Sequence, residues 1–218
     1  MNPSLKLFLV LIISLEVSLK ANLLANLILI FISLIYLFIH RVSLKELLGL
    51  IFVPLIAAIA IFIAIYYYSP AHDLIYAWTL FSRLYTFVFL GACLTKTTTA
   101  TQLSRSLEQN MHLPTKFAYG TLAAFNVLPK IGQEVKRIHA AGQMRAMNLS
   151  FYSPRLYFKA ILSAISWADG LNDAMQAHGF RETQARSIID PIALTKKDWL
   201  LFILLLISFQ PILFFLYI

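Results

Sequence analysis

A polar, basic stretch of about a hundred residues, Thr97 to Lys197, lies between four apolar runs on its N-terminal side and one on its C-terminal side. Counted with Lys96, it holds 13 of the 18 Lys and Arg residues but only 6 of the 10 acidic ones. A charge at the centre of a membrane span costs about 2.5–3.5 kcal/mol on insertion scales, so the block cannot be threaded through hydrocarbon. It must lie on one side of a membrane and meet something acidic or grooved, while the apolar runs anchor it.

Composition agrees with that division. Sixty per cent apolar residues, a mean hydropathy of +0.76 and 13 per cent charged residues exceed what a soluble domain carries. The runs are Leu5 to Leu19, which contains Glu16; Leu23 to Ile39; Leu47 to Tyr68; Leu74 to Thr95, interrupted by Arg83; and Trp199 to Tyr217. At roughly 20 residues per span, these predict an all-α polytopic membrane protein of about five transmembrane helices with one extramembrane module of amphipathic helices. The organisation read from them is four helices in residues 1–96, the polar module in 97–197 and a final helix in 198–218. A cleaved signal peptide is the alternative for the first run, but one Lys and no clean small-x-small cleavage site argue against it. The single cysteine, Cys93, lies within an apolar run and excludes disulfide scaffolds and Cys-based zinc sites.

Orientation follows from Lys and Arg in the short loops. Arg41 and Lys45 mark the second loop as cytoplasmic, and the third, Ser69 to Asp73, has neither residue type. The basic block then falls inside, with the N-terminus, in a multi-pass membrane protein. Lys6 agrees and Lys20 disagrees weakly. Lys196 and Lys197 hold the inner end of the last span, whose C-terminus falls outside.

Within the block the punctuation is helical. Ser153-Pro154 reads as an N-cap followed by proline at the first helical position, and Gly179 is placed to stop the same helix with a positive φ. Leu156, Tyr157, Ile161, Ala164, Ile165, Ala168, Leu171 and Met175 recur at three and four, which predicts an amphipathic helix with these on its apolar face. A second helix is expected from about Pro129 to Met147, with Ile131, Val135, Ile138 and Gly142 as a narrow apolar stripe and Lys130, Glu134, Lys136, Arg137, His139 and Gln143 on a wet or partner-facing surface. A shorter pair, Thr101 to Asn110 and Pro114 to Phe125, precedes it.

The ordered set Ser106-Leu107 to Leu113-Pro114, Asn126-Val127-Leu128-Pro129, Glu134, Ile138, Gln143-Met144-Arg145-Ala146 and Asp173 to Phe180 resembles the T component of energy-coupling-factor transporters. That transmembrane family also includes the cobalt-transport permease subunits. The resemblance runs from roughly Arg83 to Asp190, and the flanking spans match in pattern. It implies two crossed coupling helices that dock into grooves on two cytoplasmic ABC ATPase subunits, and a membrane part that holds a substrate-binding S component delivering a vitamin or metal ion. The family carries an Ala-Arg-Gly motif at the end of each coupling helix. The first falls on Met144-Arg145-Ala146, which keeps only the arginine; the second falls on Ala177-His178-Gly179, which replaces it. A guanidinium can form two parallel hydrogen bonds to a groove carboxylate, so Arg145 is the expected contact. His178 lacks the permanent charge and the fork, and Arg181 is placed to supply a cation in its stead. Cations near a helix C-terminus are also favoured simply by the helix dipole.

Other features narrow the chemistry. No G-x-x-x-x-G-K-[ST] is present, so ATP binding through a P-loop is not expected and the chain reads as a noncatalytic subunit without a cofactor. His40, His72, His112 and His139 share no ligand spacing, which speaks against a metal site. The positive-inside rule explains the basic charge without nucleic acid, and anionic lipid headgroups are its expected nonspecific partners. Arg83 reads as one half of an internal pair or as snorkelling to an interface, Glu16 as interfacial, and Gln210-Pro211 as a kink satisfied by neighbouring helices. A self-contained carrier or channel is the alternative function, but it calls for inverted repeats with broken spans, which the four-plus-one layout lacks. An intramembrane lipid enzyme would need a convergent polar constellation. The cargo is not written in the chain.

Overall fold

A computed structural model describes residues 1–68, 73–145, 147, 150, 152–181 and 191–215, the last three by backbone alone. All regular secondary structure among them is helical, in two compact units: Met1–Ser106 with Ile192–Ile218, and Leu107–Pro191.

The first unit is organised on α5 (Leu74–Thr97), which packs against α1 (Pro3–Leu19), α2 (Leu23–Ile39), α3 (Leu44–Phe52) and α4 (Leu55–Tyr68). The final helix, α9 (Lys196–Phe215), lies on α1 and α2. Local capping fixes the starts. Asn22 caps α2, Ser43 caps α3, and the Asp73 carboxylate accepts from the Ile75 and Tyr76 N–H groups at 2.9 and 3.3 Å. Two apolar clusters form the core: Ile13, Val17, Leu29, Leu90 and Phe209 in one, Leu37, Ala58, Tyr85 and Phe89 in the other. The run expected as one span from Leu47 to Tyr68 begins earlier, at Leu44, and breaks at Val53-Pro54. Proline has no N–H and its ring opposes the carbonyl four residues back. Even so, Leu44–Tyr68 and Leu74–Thr97 are long and apolar enough to cross a membrane by length and composition, with Leu23–Ile39 a shorter apolar helix. Val53 and Ile56 are each 80% exposed on the outward face of the first of these, as lipid contact requires.

Several polar residues inside this unit make helix–helix bonds. The Asn26 amide donates to the Thr79 carbonyl and to Ser82 Oγ, both at 3.1 Å, tying α2 to α5. Arg83 donates to the carbonyl of Lys20 at 3.1 Å. Lys20 is the C-cap of α1, so the guanidinium serves one of the carbonyls that every helix end leaves without a partner, at the end whose dipole favours a cation. The expected internal partner of Arg83 is therefore a backbone group. The Gln210 amide donates to Glu16 Oε1, joining α9 to α1, and α9 continues through Pro211. Most of the third loop, with His72, lies outside the described residues.

α6 (Ala100–Met111) opens with a reciprocal box in which Thr99 and Gln102 each accept the other's N–H at 3.2 Å. It agrees with the expected Thr101 to Asn110 to within a residue. In the second unit the two helices expected as Pro114 to Phe125 and Pro129 to Met147 are one, α7 (Thr115–Met144), with Pro129 inside it. Only one N–H is lost there. The carbonyl of Phe125 that it would have served lies in a stretch where Phe125, Asn126, Leu128, Pro129 and Lys130 are all exposed, so solvent can take the donor's place. α8 (Pro154–Ala177) starts and stops where expected.

Candidate docking tips of the α7–α8 hairpin

The two long helices of the second unit run antiparallel. Ser163 hydrogen-bonds Glu134 at 3.5 Å, and the rings of Tyr119 and Phe180 meet edge to face at 6.4 Å. Residues paired across the hairpin thus sum to nearly the same number at both contacts, so the helices lie alongside each other over most of α8. The face of α7 in this contact is close to the expected stripe: Ile131, Val135 and Ile138 are half-buried and Gly142 is buried. Glu134 belongs to it as well, at 16% side-chain exposure, which corrects its assignment to the wet surface. On α8 the buried face is rotated from the expected one. Leu156 and Ala160 are buried and Ser163, Ala164 and Trp167 half-buried, while Tyr157, Ile161, Ile165 and Leu171 are exposed. Small residues at 160, 163 and 164 let α8 approach α7 closely, and the bulky side chains turn outward.

An antiparallel hairpin puts the two helix C-termini at opposite ends. Along the 24 residues of α8 that separation is about 36 Å at 1.5 Å per residue. At one end Met144 is the last residue of α7 and 88% exposed, and Arg145 is its C-cap. The Gly142 carbonyl accepts both the Arg145 and the Met147 N–H at 3.0 Å, which folds the outgoing chain over the helix end and leaves the exposed Arg145 side chain at the tip. Ala146 lies outside the described residues. At the other end Ala177 closes α8, His178 is the C-cap, and Gly179 takes φ +79°. The Phe180 N–H reaches back to the Met175 carbonyl and the Gly179 N–H to that of Gln176, both at 2.9 Å. That is a Schellman motif, in which the left-handed residue is almost always glycine, so Gly179 has a backbone role independent of any partner. Ala177, His178, Gly179 and Arg181 are all exposed. Ser153 occupies the N-cap position of α8 with extended backbone, but its side chain makes no capping bond, which corrects that part of the expectation.

The structure therefore gathers the expected docking residues into two separate tips rather than one site. Two residues past Arg145 in the sequence, Met147 lines an open cavity of about 400 Å³ together with Pro154, Arg155, Phe158 and Lys159, all of them exposed. Sequence reasoning missed it, although its signal was present: no Asp or Glu occurs between Glu134 and Asp169, while Lys136, Arg137, Arg145, Arg155 and Lys159 do. Among the described residues, no group of three or more His, Cys, Asp or Glu side chains is placed to hold a metal ion.

The sequence model of the CbiQ family, described as cobalt transport protein, matches residues 1–189. The chain belongs to that family. The match takes in α1 to α8, and so both tips of the hairpin, and leaves α9 outside it. No curated protein matches the chain. Membership of a transport-protein family, together with the apolar helices of the first unit, makes this a membrane protein concerned with transport.

Proposed function

We propose that this member of the cobalt transport family is the transmembrane coupling subunit of an ATP-driven importer. The observation that carries the reading is the pair of exposed helix C-termini, about 36 Å apart along α8, each bearing the remnant of a family docking motif. Two tips at that spacing suit two ATPase subunits, each receiving a helix end in a groove. Arg145 is the principal contact at one tip, with Met144 and Ala146 beside it. His178 serves at the other, with Ala177, Gly179 and Arg181.

In this reading the N-terminus and the hairpin are cytoplasmic, and five spans place the C-terminus outside. Nucleotide-driven motion of the ATPases shifts the tips, and the hairpin passes that motion to a membrane-embedded S component that carries the cargo. Cobalt is the cargo the family's description suggests, and other metal ions or vitamins fit the same mechanics. The chain itself is noncatalytic, since it has no P-loop.

The test is purification from mild detergent after coexpression with the ATPases. Two ATPase subunits and a small membrane protein are expected to come with the chain, and the chain alone is expected to hydrolyse no ATP. A chain that transports cargo in vesicles without any nucleotide-hydrolysing partner would instead be a carrier.

A further inference from the structure

We propose that the open cavity between Met147 and the first turns of α8 is a socket that takes up one bulky apolar side chain of the ATPase subunit, with carboxylates of the same subunit meeting Arg155 and Lys159 on its rim. The inference rests on the coupling reading above and extends it to residues outside the two motifs.

Met147 joins the cavity to the tip. It lines the cavity, and its N–H shares the Gly142 carbonyl with that of Arg145, so one turn of backbone positions both. On α8, Leu156 and Ala160 are buried and fix the helix, which leaves Arg155, Phe158 and Lys159 exposed. Arg155 and Lys159 are four residues apart and therefore on the same side of the helix, one turn apart, with Phe158 between them. A volume of about 400 Å³ accommodates a Leu, Met or Phe side chain.

Charge identifies the occupant further. Among the described residues neither Arg155 nor Lys159 pairs with a carboxylate, and the hairpin supplies no acid between Glu134 and Asp169. The matching surface must bring its own. The same stretch of sequence carries the exposed Met144, Tyr152 and Phe158, at 88, 95 and 62%. Methionine, aromatic residues and arginine together are the composition of a protein-binding surface. An anionic lipid would answer the charge equally well, but it would not explain why the cavity shares its turn with the docking arginine.

The complex of full-length chain and ATPases, in mild detergent, tests the socket through Phe158→Asp, the double variant Arg155→Glu with Lys159→Glu, and the conservative Phe158→Leu. Because these side chains are exposed, the variants should keep wild-type helicity and elution. ATPase affinity should fall about tenfold or more in the first two and stay within about threefold of wild type in Phe158→Leu. In the same complexes, Arg155→Cys in a Cys93→Ser background, labelled at the thiol with a maleimide benzophenone, should crosslink to an ATPase subunit under ultraviolet light. Undiminished ATPase affinity in Phe158→Asp and the double variant overturns the socket and leaves the coupling reading intact. Wild-type chain that retains no ATPase overturns both. Vesicles of phosphatidylcholine with and without phosphatidylglycerol provide the last arm. Variants that lose binding to the anionic vesicles yet keep their ATPases would make the cavity a lipid site and overturn the proposal.

Discussion

The two ends of the α7–α8 hairpin are built on different principles. The end of α7 is closed by the Arg145 and Met147 N–H groups on the Gly142 carbonyl, and what sets it apart is side-chain character: Arg145 at the tip, Arg155 and Lys159 following in the first turns of α8, and no carboxylate for a stretch of sequence on either side. The end of α8 is held by backbone geometry, with a Schellman closure around Gly179. It carries an imidazole where the family has a guanidinium, and Asp169 and Asp173 offset Arg181 in the sequence nearby. In the proposed reading, one tip is suited to charge-assisted contacts and the other to contacts through shape. If both dock, they should contribute unequally and respond to different perturbations.

The largest expected effect is at the first tip. Removing one partner of a desolvated, hydrogen-bonded charge pair costs about 2–5 kcal/mol, much of it from the charge left behind in the groove. Arg145→Ala should therefore weaken ATPase association by at least about thirtyfold, and Arg145→Glu, which adds repulsion, should abolish copurification and uptake. Membrane insertion should be unchanged in both. His178→Ala at the other tip should cost less than about tenfold, in keeping with a single hydrogen bond that lacks the guanidinium's permanent charge. Equal losses at the two tips, measured by copurification and by uptake in the same cells, would dissolve the distinction.

Salt sharpens the same contrast. Exposed charge pairs weaken as the screening length shrinks from about 10 Å at 0.1 M toward 3 Å at 1 M. ATPase affinity of the wild-type chain should fall with added salt, and the slope should flatten in Arg145→Ala but not in His178→Ala. Next in size comes His178→Arg, which restores the family's residue. Affinity within about threefold of wild type is expected, because the imidazole and the guanidinium both donate from the same helix end. A severe loss of uptake would mean that the second groove has been reshaped around the smaller ring.

What could be read beforehand divides along the same line. Ser153-Pro154 and Gly179 mark the ends of α8 because helix starts and stops are settled by a few neighbouring residues, and the apolar runs locate the helices of the first unit because lipid imposes a long, simple pattern. Proline was harder. Pro54 interrupts its run, whereas Pro129 and Pro211 lie inside continuous helices; the outcome depends on what surrounds the carbonyl each one orphans, and that is tertiary information. The buried face of α8 was misjudged because its large apolar side chains outnumber the small ones that make the contact. The capping role of Arg83 and the cross-helix bonds of the Asn26 amide needed the helix pairing, and the cavity needed the approach of Met147 to the start of α8. The residues expected to dock were reached through the family resemblance, and the structure added the separation of the two helix ends that carry them.

The smallest expected effect tests the backbone-built tip directly. A Cβ added to Gly179 meets nothing within 4 Å, so Gly179→Ala brings no clash, only the strain of a left-handed conformation at φ +79°. That strain is about 1–2 kcal/mol for an ordinary L-residue and less for asparagine, which tolerates the region. The end of α8 is exposed and can relieve it by unwinding its last turn, so the melting temperature should drop by only a few degrees. ATPase affinity should fall a few-fold in Gly179→Ala and be closer to wild type in Gly179→Asn. If Gly179→Ala proved as damaging as Arg145→Ala without loss of helicity, the glycine would be in direct contact with the groove, where a methyl group is excluded by the partner rather than by φ. The second tip would then bind through its closest backbone approach, and the contrast with the first would lie in how the groove is filled.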